Sequence, residues 1–247
     1  MSDDIRAGST RIEGADGDEI EAYLAAPVDG GTGGSVVVIH HMPGYDAATK
    51  EIVRRFAVMR YTALCPNLYW REAPGAEPDD AAATARAGGG VPDARLVSDV
   101  AGAAAHLRAL PSSNGRVGVI GFCSGGRQSV LAACSTDLDA AVDCYGAFVV
   151  GAPPPAAFPK MSLLYDLLPD LRAPLLGLFG QDDARPSPDH VAELDGLLER
   201  AGKAHEFHSY EDTGHAFFAV DRPSYRPAAA VDGWSRIGAF FAEHLTN

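Results

Sequence analysis

Three short apolar runs, SVVVIHH at residues 35–41, RVGVIGF at 116–122 and APLLGLFG at 173–180, limit what this chain can become more than any other feature. Each is a continuous stretch with little polar alternation, the mark of a strand covered on both faces. Each is also followed by a segment with helical spacing: AATKEIVRRFAVMR, CSGGRQSVLAAC and DHVAELDGLLERAG. Strands that alternate with helices pair in parallel, because the connecting helix must carry the chain back across the sheet. YTALCPN, LDAAVDCYG and AHEFHSYE read as further strands, and DARLVSDVAGAAAHLRAL and AAAVDGWSRIGAFFAEHL as further helices. The start differs: TRIEGA and DEIEAYLAAP alternate polar with apolar around Asp16-Gly17-Asp18, which predicts antiparallel strands with one wet face. The expectation is one α/β domain over residues 1–247, a mostly parallel sheet with helices on both faces.

Two segments interrupt the rhythm. Residues 70–92 are rich in Pro, Gly, Ala and acid, and residues 146–170 contain the cluster PPP. Loops of that length in a compact domain are usually functional or mobile, and both are expected to rim a pocket.

The sharpest chemical signal is Gly121-Phe122-Cys123-Ser124-Gly125, between the strand RVGVIGF and a helix. A G-x-nucleophile-x-G turn at that junction exposes the central side chain, and its glycines let strand and helix backbones approach closely. Cys123 holds the nucleophile position. Ser124 does not, since two residues before it stands Phe122. Cys65, Cys134 and Cys144 lie within strand or helix patterns and read as buried small hydrophobes. A thiol near its usual pKa of about 8.5 needs a base and an acid to orient that base. Both follow at the ends of later strands: Gly180-Gln181-Asp182-Asp183 after APLLGLFG, and Asp212-Thr213-Gly214-His215 after AHEFHSYE. His205 and His208 point to opposite faces of a strand and make a poor metal pair. His40 and His41 end a buried strand, at the sheet edge where such folds place ligands.

The stretches CPNLYWREAPG, GRVGVIGFCSGGR, FGQDDARPSP, DTGHAFF and RPSYRPAAAVDGWSRIGAFFAEHL together resemble the dienelactone hydrolase (carboxymethylenebutenolidase) family of the α/β-hydrolase fold, over nearly the whole length. The elbow cysteine followed by paired glycines is the most specific element. The resemblance implies a Cys-His-Asp triad that opens an ester or lactone, with Cys123 as nucleophile, His215 as base and then acid, and Asp182 as the carboxylate that orients His215. It implies an oxyanion hole from the backbone N–H groups of Ser124 and Met42. The family's thiol-activating glutamate is replaced by His41, which becomes the candidate for that role. A family arginine that grips an acidic lactone is replaced by Ala219, leaving Arg86, Arg222 and Arg226 as substitutes and pointing to a different ester or lactone as substrate.

Composition narrows the rest. Lys and Arg number 20 against 33 Asp and Glu, a net charge of −13, which speaks against nucleic acid or an anionic membrane as partner. No apolar run approaches a membrane span, and MSDDIRAGST has neither the basic nor the apolar region of a secretory signal. Four cysteines without a C-x-x-C pair fit reduced thiols in the cytoplasm. No metal and no cofactor is expected; the partner is a small-molecule substrate, and the oligomeric state is open. Acyl transfer or thioesterase chemistry on the same triad, and a non-catalytic ligand-binding role, are the rival readings.

Overall fold

The structure is a computed structural model that describes residues 4–154, 156 and 159–246. Its core is an eight-stranded sheet in the order β1-β2-β4-β3-β5-β6-β7-β8. The strands are β1 (Ile5–Glu13), β2 (Glu19–Pro27), β3 (Ser35–Ile39), β4 (Thr62–Pro66), β5 (Val117–Phe122), β6 (Ala140–Cys144), β7 (Leu175–Gly180) and β8 (His205–Tyr210). β1 pairs with β2, and β2 with β4, antiparallel; every other pairing is parallel. Every expected strand is present, though β1 starts at Ile5, five residues before the expected TRIEGA, and ends at Glu13.

The apolar runs behave as their composition demands. In β3, Val37 and Ile39 enter one core while Val36 and Val38 enter the other. In β5, Val117 and Val119 face the first core, Ile120 and Phe122 the second. A strand wedged between two cores must be apolar on both faces, which is why these runs lack alternation. Helices α3 (Asp93–Arg108), α4 (Ser124–Ser135) and α5 (Pro188–Arg200) supply the first core. Helices α1 (Ala47–Val58) and α6 (Pro227–Leu245) supply the second.

The first core also takes in Ala81, Ala82 and Ala85 of α2 (Pro78–Ala87), which lies inside residues 70–92. That segment is therefore not a bare loop, as its Pro, Gly and Ala content suggested. Pro78 at the first helical position, with Asp79 and Asp80 in the first turn, starts a helix well. Segment 146–170 meets it: a β-carbon at Gly89 would stand only 2.9 Å from Cγ of Pro159. Among the described residues no helix is long and apolar enough to cross a membrane.

This topology places the site. After β3 the chain passes through α1 on the second face and lays β4 on one side; after β5 it passes through α4 on the first face and lays β6 on the other. The order of strands thus reverses between β3 and β5, and a crevice opens at their carboxyl ends. His40, His41 and Met42 follow β3; Cys123 follows β5.

Candidate active site

Cys123 sits on the sharp corner between β5 and α4, with φ 57° and ψ −121°. A non-glycine residue rarely adopts such angles, which cost of order 1–3 kcal/mol and need surrounding structure to hold them. Its N–H donates to the Cys144 carbonyl at 3.0 Å, and its own carbonyl accepts from Gly126 N–H at 3.0 Å. The elbow glycines are explained by proximity. A β-carbon at Gly121 would lie 1.9 Å from the Gly125 carbonyl oxygen, and one at Gly125 would lie 2.6 Å from that of Ile39. The Cys123 side chain is partly exposed. Ser124 opens α4, so its N–H has no acceptor within the helix and stands at the helix's positive end.

His215 projects from the loop after β8, its ring packed edge-on against Tyr145 with centroids 5.0 Å apart. Its Nδ1 bonds Oδ2 of Asp183 at 2.7 Å, and its ring interacts electrostatically with Cys123 as well. Burial alone would lower the pKa of His215. The hydrogen bond to Asp183 and the influence of Cys123 outweigh it and lift the imidazole to about 10. The site therefore favours an imidazolium held by the Asp183 carboxylate beside the elbow. Among the other thiols, burial raises Cys65 and Cys144, and lifts Cys134 to about 12.

The carboxylate that meets His215 is Asp183, not Asp182. Beyond β7 the chain turns at Gln181 and Asp182, with Asp183 N–H on the Gly180 carbonyl at 3.3 Å, and is held to the neighbouring loop by Gln181 N–H on the Tyr210 carbonyl and Asp182 N–H on that of Thr213, both at 2.9 Å. Asp182 consequently points outward and is exposed, lining a surface groove with Pro188, Val191 and Phe207. Asp183, which follows that turn, faces inward, with 3% of its side chain exposed. Its Oδ1 accepts from Arg185 N–H at 2.8 Å, leaving Oδ2 aimed at the imidazole.

The other candidates separate by contact. His41 bonds Oδ2 of Asp46 through Nε2 at 2.7 Å, and Asp46 caps α1 by accepting from Thr49 N–H at 2.8 Å. That ties His41 to the loop's return into α1. Met42 lies in the turn closed by Gly44 N–H on the His41 carbonyl at 2.9 Å, and its own carbonyl accepts from the Tyr69 hydroxyl at 3.0 Å. Arg86 is exposed on the last turn of α2, and its charge acts on Tyr69; Arg222 is exposed after the His215 loop, and its charge acts on Tyr145. Both tyrosines also feel the charge of Cys123. Arg226 differs: its guanidinium donates to the carbonyls of Asp212, Pro223 and Tyr225 and fastens the loop before α6.

Sequence reasoning missed two buried groups. Arg127, 1% exposed, runs from α4 to a bidentate pair with Asp93 at 3.0 and 2.9 Å, and also donates to the Phe148 and Ser162 carbonyls. A lone arginine on an elbow helix carries no sequence signal of such burial. Asp143 in β6 is fully buried behind the elbow, with Oδ1 accepting from Gly146 N–H at 2.7 Å. Burial lifts its carboxyl to about 7, against the opposing influence of that N–H and of the His215 charge.

An elbow cysteine, a histidine after the last strand and an acid after the preceding one, on a mostly parallel sheet with this order, define an enzyme of the α/β-hydrolase fold. Comparison with known proteins carries this further. Residues 20–245 match the model of the Dienelactone hydrolase family. The chain is 34% identical over 241 residues to a Methylorubrum extorquens protein named "Putative carboxymethylenebutenolidase", covering 96% of this chain and 81% of that one. It is 36% identical over 250 residues to a Salmonella typhimurium protein of the same name, covering 97% and 88%. A solved structure, the "Putative Dienelactone Hydrolase" of Klebsiella pneumoniae subsp. pneumoniae, superposes with a TM-score of 0.85 at 32% identity, covering 97% of this chain and 99% of that one. The chain belongs to the dienelactone hydrolase family and is a hydrolase of that class.

Proposed function

We propose that this hydrolase cleaves a small ester or lactone through a covalent thioester on Cys123. The observation that carries the reading is His215 held by Asp183 at 2.7 Å, with its imidazole also feeling the elbow Cys123. The thiolate of Cys123 attacks the substrate carbonyl carbon, and the carbonyl π pair moves to oxygen. The resulting oxyanion is met by the N–H groups of Ser124 and Met42, aimed where charge develops. As the tetrahedral intermediate collapses, the C–O bond breaks and His215 gives its Nε2 proton to the departing alkoxide. In a lactone that alkoxide remains attached to the acyl group. Water then attacks the thioester, giving its proton to His215, and the second intermediate expels the thiolate and releases the acid. Asp183 holds the ring so that Nδ1 keeps its proton and Nε2 faces the sulfur. His41 belongs to the loop that presents Met42, through Asp46, and Arg86 and Arg222 offer positive charge to the substrate's outer end.

The test compares wild type with Cys123→Ala on short p-nitrophenyl esters and simple lactones, with intact-mass detection of the acyl-enzyme. Turnover that disappears in the variant, with an acyl increment on wild type alone, is the expected result. A variant that hydrolyses the panel at the wild-type rate removes Cys123 from the mechanism.

A further inference from the structure

We propose that His40 is the residue that positions the oxyanion donor at Met42, a proposal that rests on the thioester reading above. His40 is the first residue after β3 and is only 2% exposed. Its Nε2 accepts from Leu68 N–H at 3.3 Å, and its Nδ1 lies 2.9 Å from the His41 carbonyl oxygen. A backbone N–H can only donate, so Nε2 carries no proton. The single proton of the neutral ring is therefore on Nδ1, where it donates to the His41 carbonyl. Burial pushes the imidazole down to about 4, which keeps this tautomer through the physiological range.

The consequence follows from peptide planarity. The His41 carbonyl and the Met42 N–H belong to one planar trans unit and point in opposite directions. Two donors hold that carbonyl, Nδ1 of His40 and the N–H of Gly44. Whatever holds it also holds the direction of the Met42 N–H. The next peptide is held as well, because the Tyr69 hydroxyl grips the Met42 carbonyl while the Tyr69 ring packs edge-on against His40 at 4.6 Å. Residues 40–46 have no sheet partner to impose this orientation. Two side chains supply it, and His40 takes its own orientation from Leu68, in the segment after β4. The function of His40 is to keep one N–H of the oxyanion hole pointing at the place where negative charge forms, without touching the substrate.

The test uses His40→Phe, which keeps the ring and loses both polar atoms, and His40→Asn, whose side-chain nitrogen can stand where Nδ1 stands. Ester turnover is measured as kcat and KM separately, beside the rate at which iodoacetamide alkylates Cys123. Alkylation is a direct displacement with no tetrahedral oxyanion, so it reports the thiolate and not the hole. His40→Phe should lower kcat on the order of 10²-fold, the size expected for loss of one oxyanion donor, with KM and alkylation close to wild type. His40→Asn should recover most of the kcat. An undiminished kcat in His40→Phe overturns the proposal, and so does an alkylation rate that falls in step with kcat. If His40→Phe does not fold, His40→Asn and Tyr69→Phe decide: wild-type kcat in Tyr69→Phe together with a full loss in His40→Asn also overturns it. Ester turnover that survives in Cys123→Ala brings down the thioester reading itself, a result separable from all of these.

Discussion

Replacing Asp183 with Asn should cripple the enzyme, while the same change at Asp182 should leave it nearly intact. Both oxygens of Asp183 accept hydrogen bonds, Oδ1 from Arg185 N–H and Oδ2 from His215. An amide has one acceptor and one donor end. If its oxygen stays on Arg185, its NH₂ faces His215 and forces Nδ1 to accept, which moves the ring proton to Nε2. There it cannot take the proton of the attacking water. If the amide turns over, its NH₂ collides with the Arg185 N–H in a nearly closed pocket. Either way the imidazolium loses its buried anion. Loss of such an acid costs on the order of 10⁴-fold in related triads, about 5.5 kcal/mol at 1.36 kcal/mol per decade. The assay is kcat/KM on a p-nitrophenyl ester for wild type, Asp183→Asn and Asp182→Asn. A second readout is the melting temperature against pH. Because the folded state raises His215 to about 10 from an ordinary 6.5, its paired charge stabilises fully below about pH 6.5 and is lost as pH rises through about 10. The gap between wild type and Asp183→Asn should therefore narrow across that interval. Near-normal kcat/KM in Asp183→Asn, or the larger loss in Asp182→Asn, would refute the reasoning.

Two further substitutions probe groups around the site. Asp143 is ordinarily ionised above pH 3.8 when unfolded and is held neutral to about 7 when folded, so it withdraws stability as pH rises between those values. Asp143→Asn should gain melting temperature over wild type from pH 4 to 7 and level off above; a gap independent of pH refutes this. Asp46 is penalised by burial, yet the hydrogen bonds from His41 and the Thr49 N–H hold its carboxyl at about 2. Asp46→Ala should cost about 1 kcal/mol at pH 7 in denaturant unfolding, the usual value of an N-cap. That difference should be present above about pH 3.8 and shrink as pH falls through about 2.

The strands were legible because burial on both faces leaves a plain trace in composition: Val36, Val37, Val38 and Ile39 could serve no surface. The elbow was legible because backbone crowding excludes every residue but glycine at Gly121 and Gly125. Helix α2 was hidden by its neighbours, since Pro74, Gly75 and Gly88, Gly89, Gly90 read as loop on either side of a ten-residue helix. The choice between Asp182 and Asp183 depends on how the chain turns at Gln181 and Asp182 beyond the end of β7, which two identical residues in sequence cannot reveal. The same holds for His40 and His41. Their neighbourhood was recognisable from the end of a buried strand, but their division of labour depends on which nitrogen reaches which carbonyl.

Arg127 carries a consequence for how this enzyme can change its substrate range. Its guanidinium grips the start of α3 through Asp93 and segment 146–170 through two carbonyls, from a helix whose first residue follows the nucleophile. Segment 146–170 is thus wired to the elbow instead of floating above it. Grafting that segment from another family member would disturb the footing of the elbow helix as well, unless the graft also presents carbonyls at the places of Phe148 and Ser162. Directed evolution of new substrates should proceed more freely from Arg86, which is exposed on the last turn of α2.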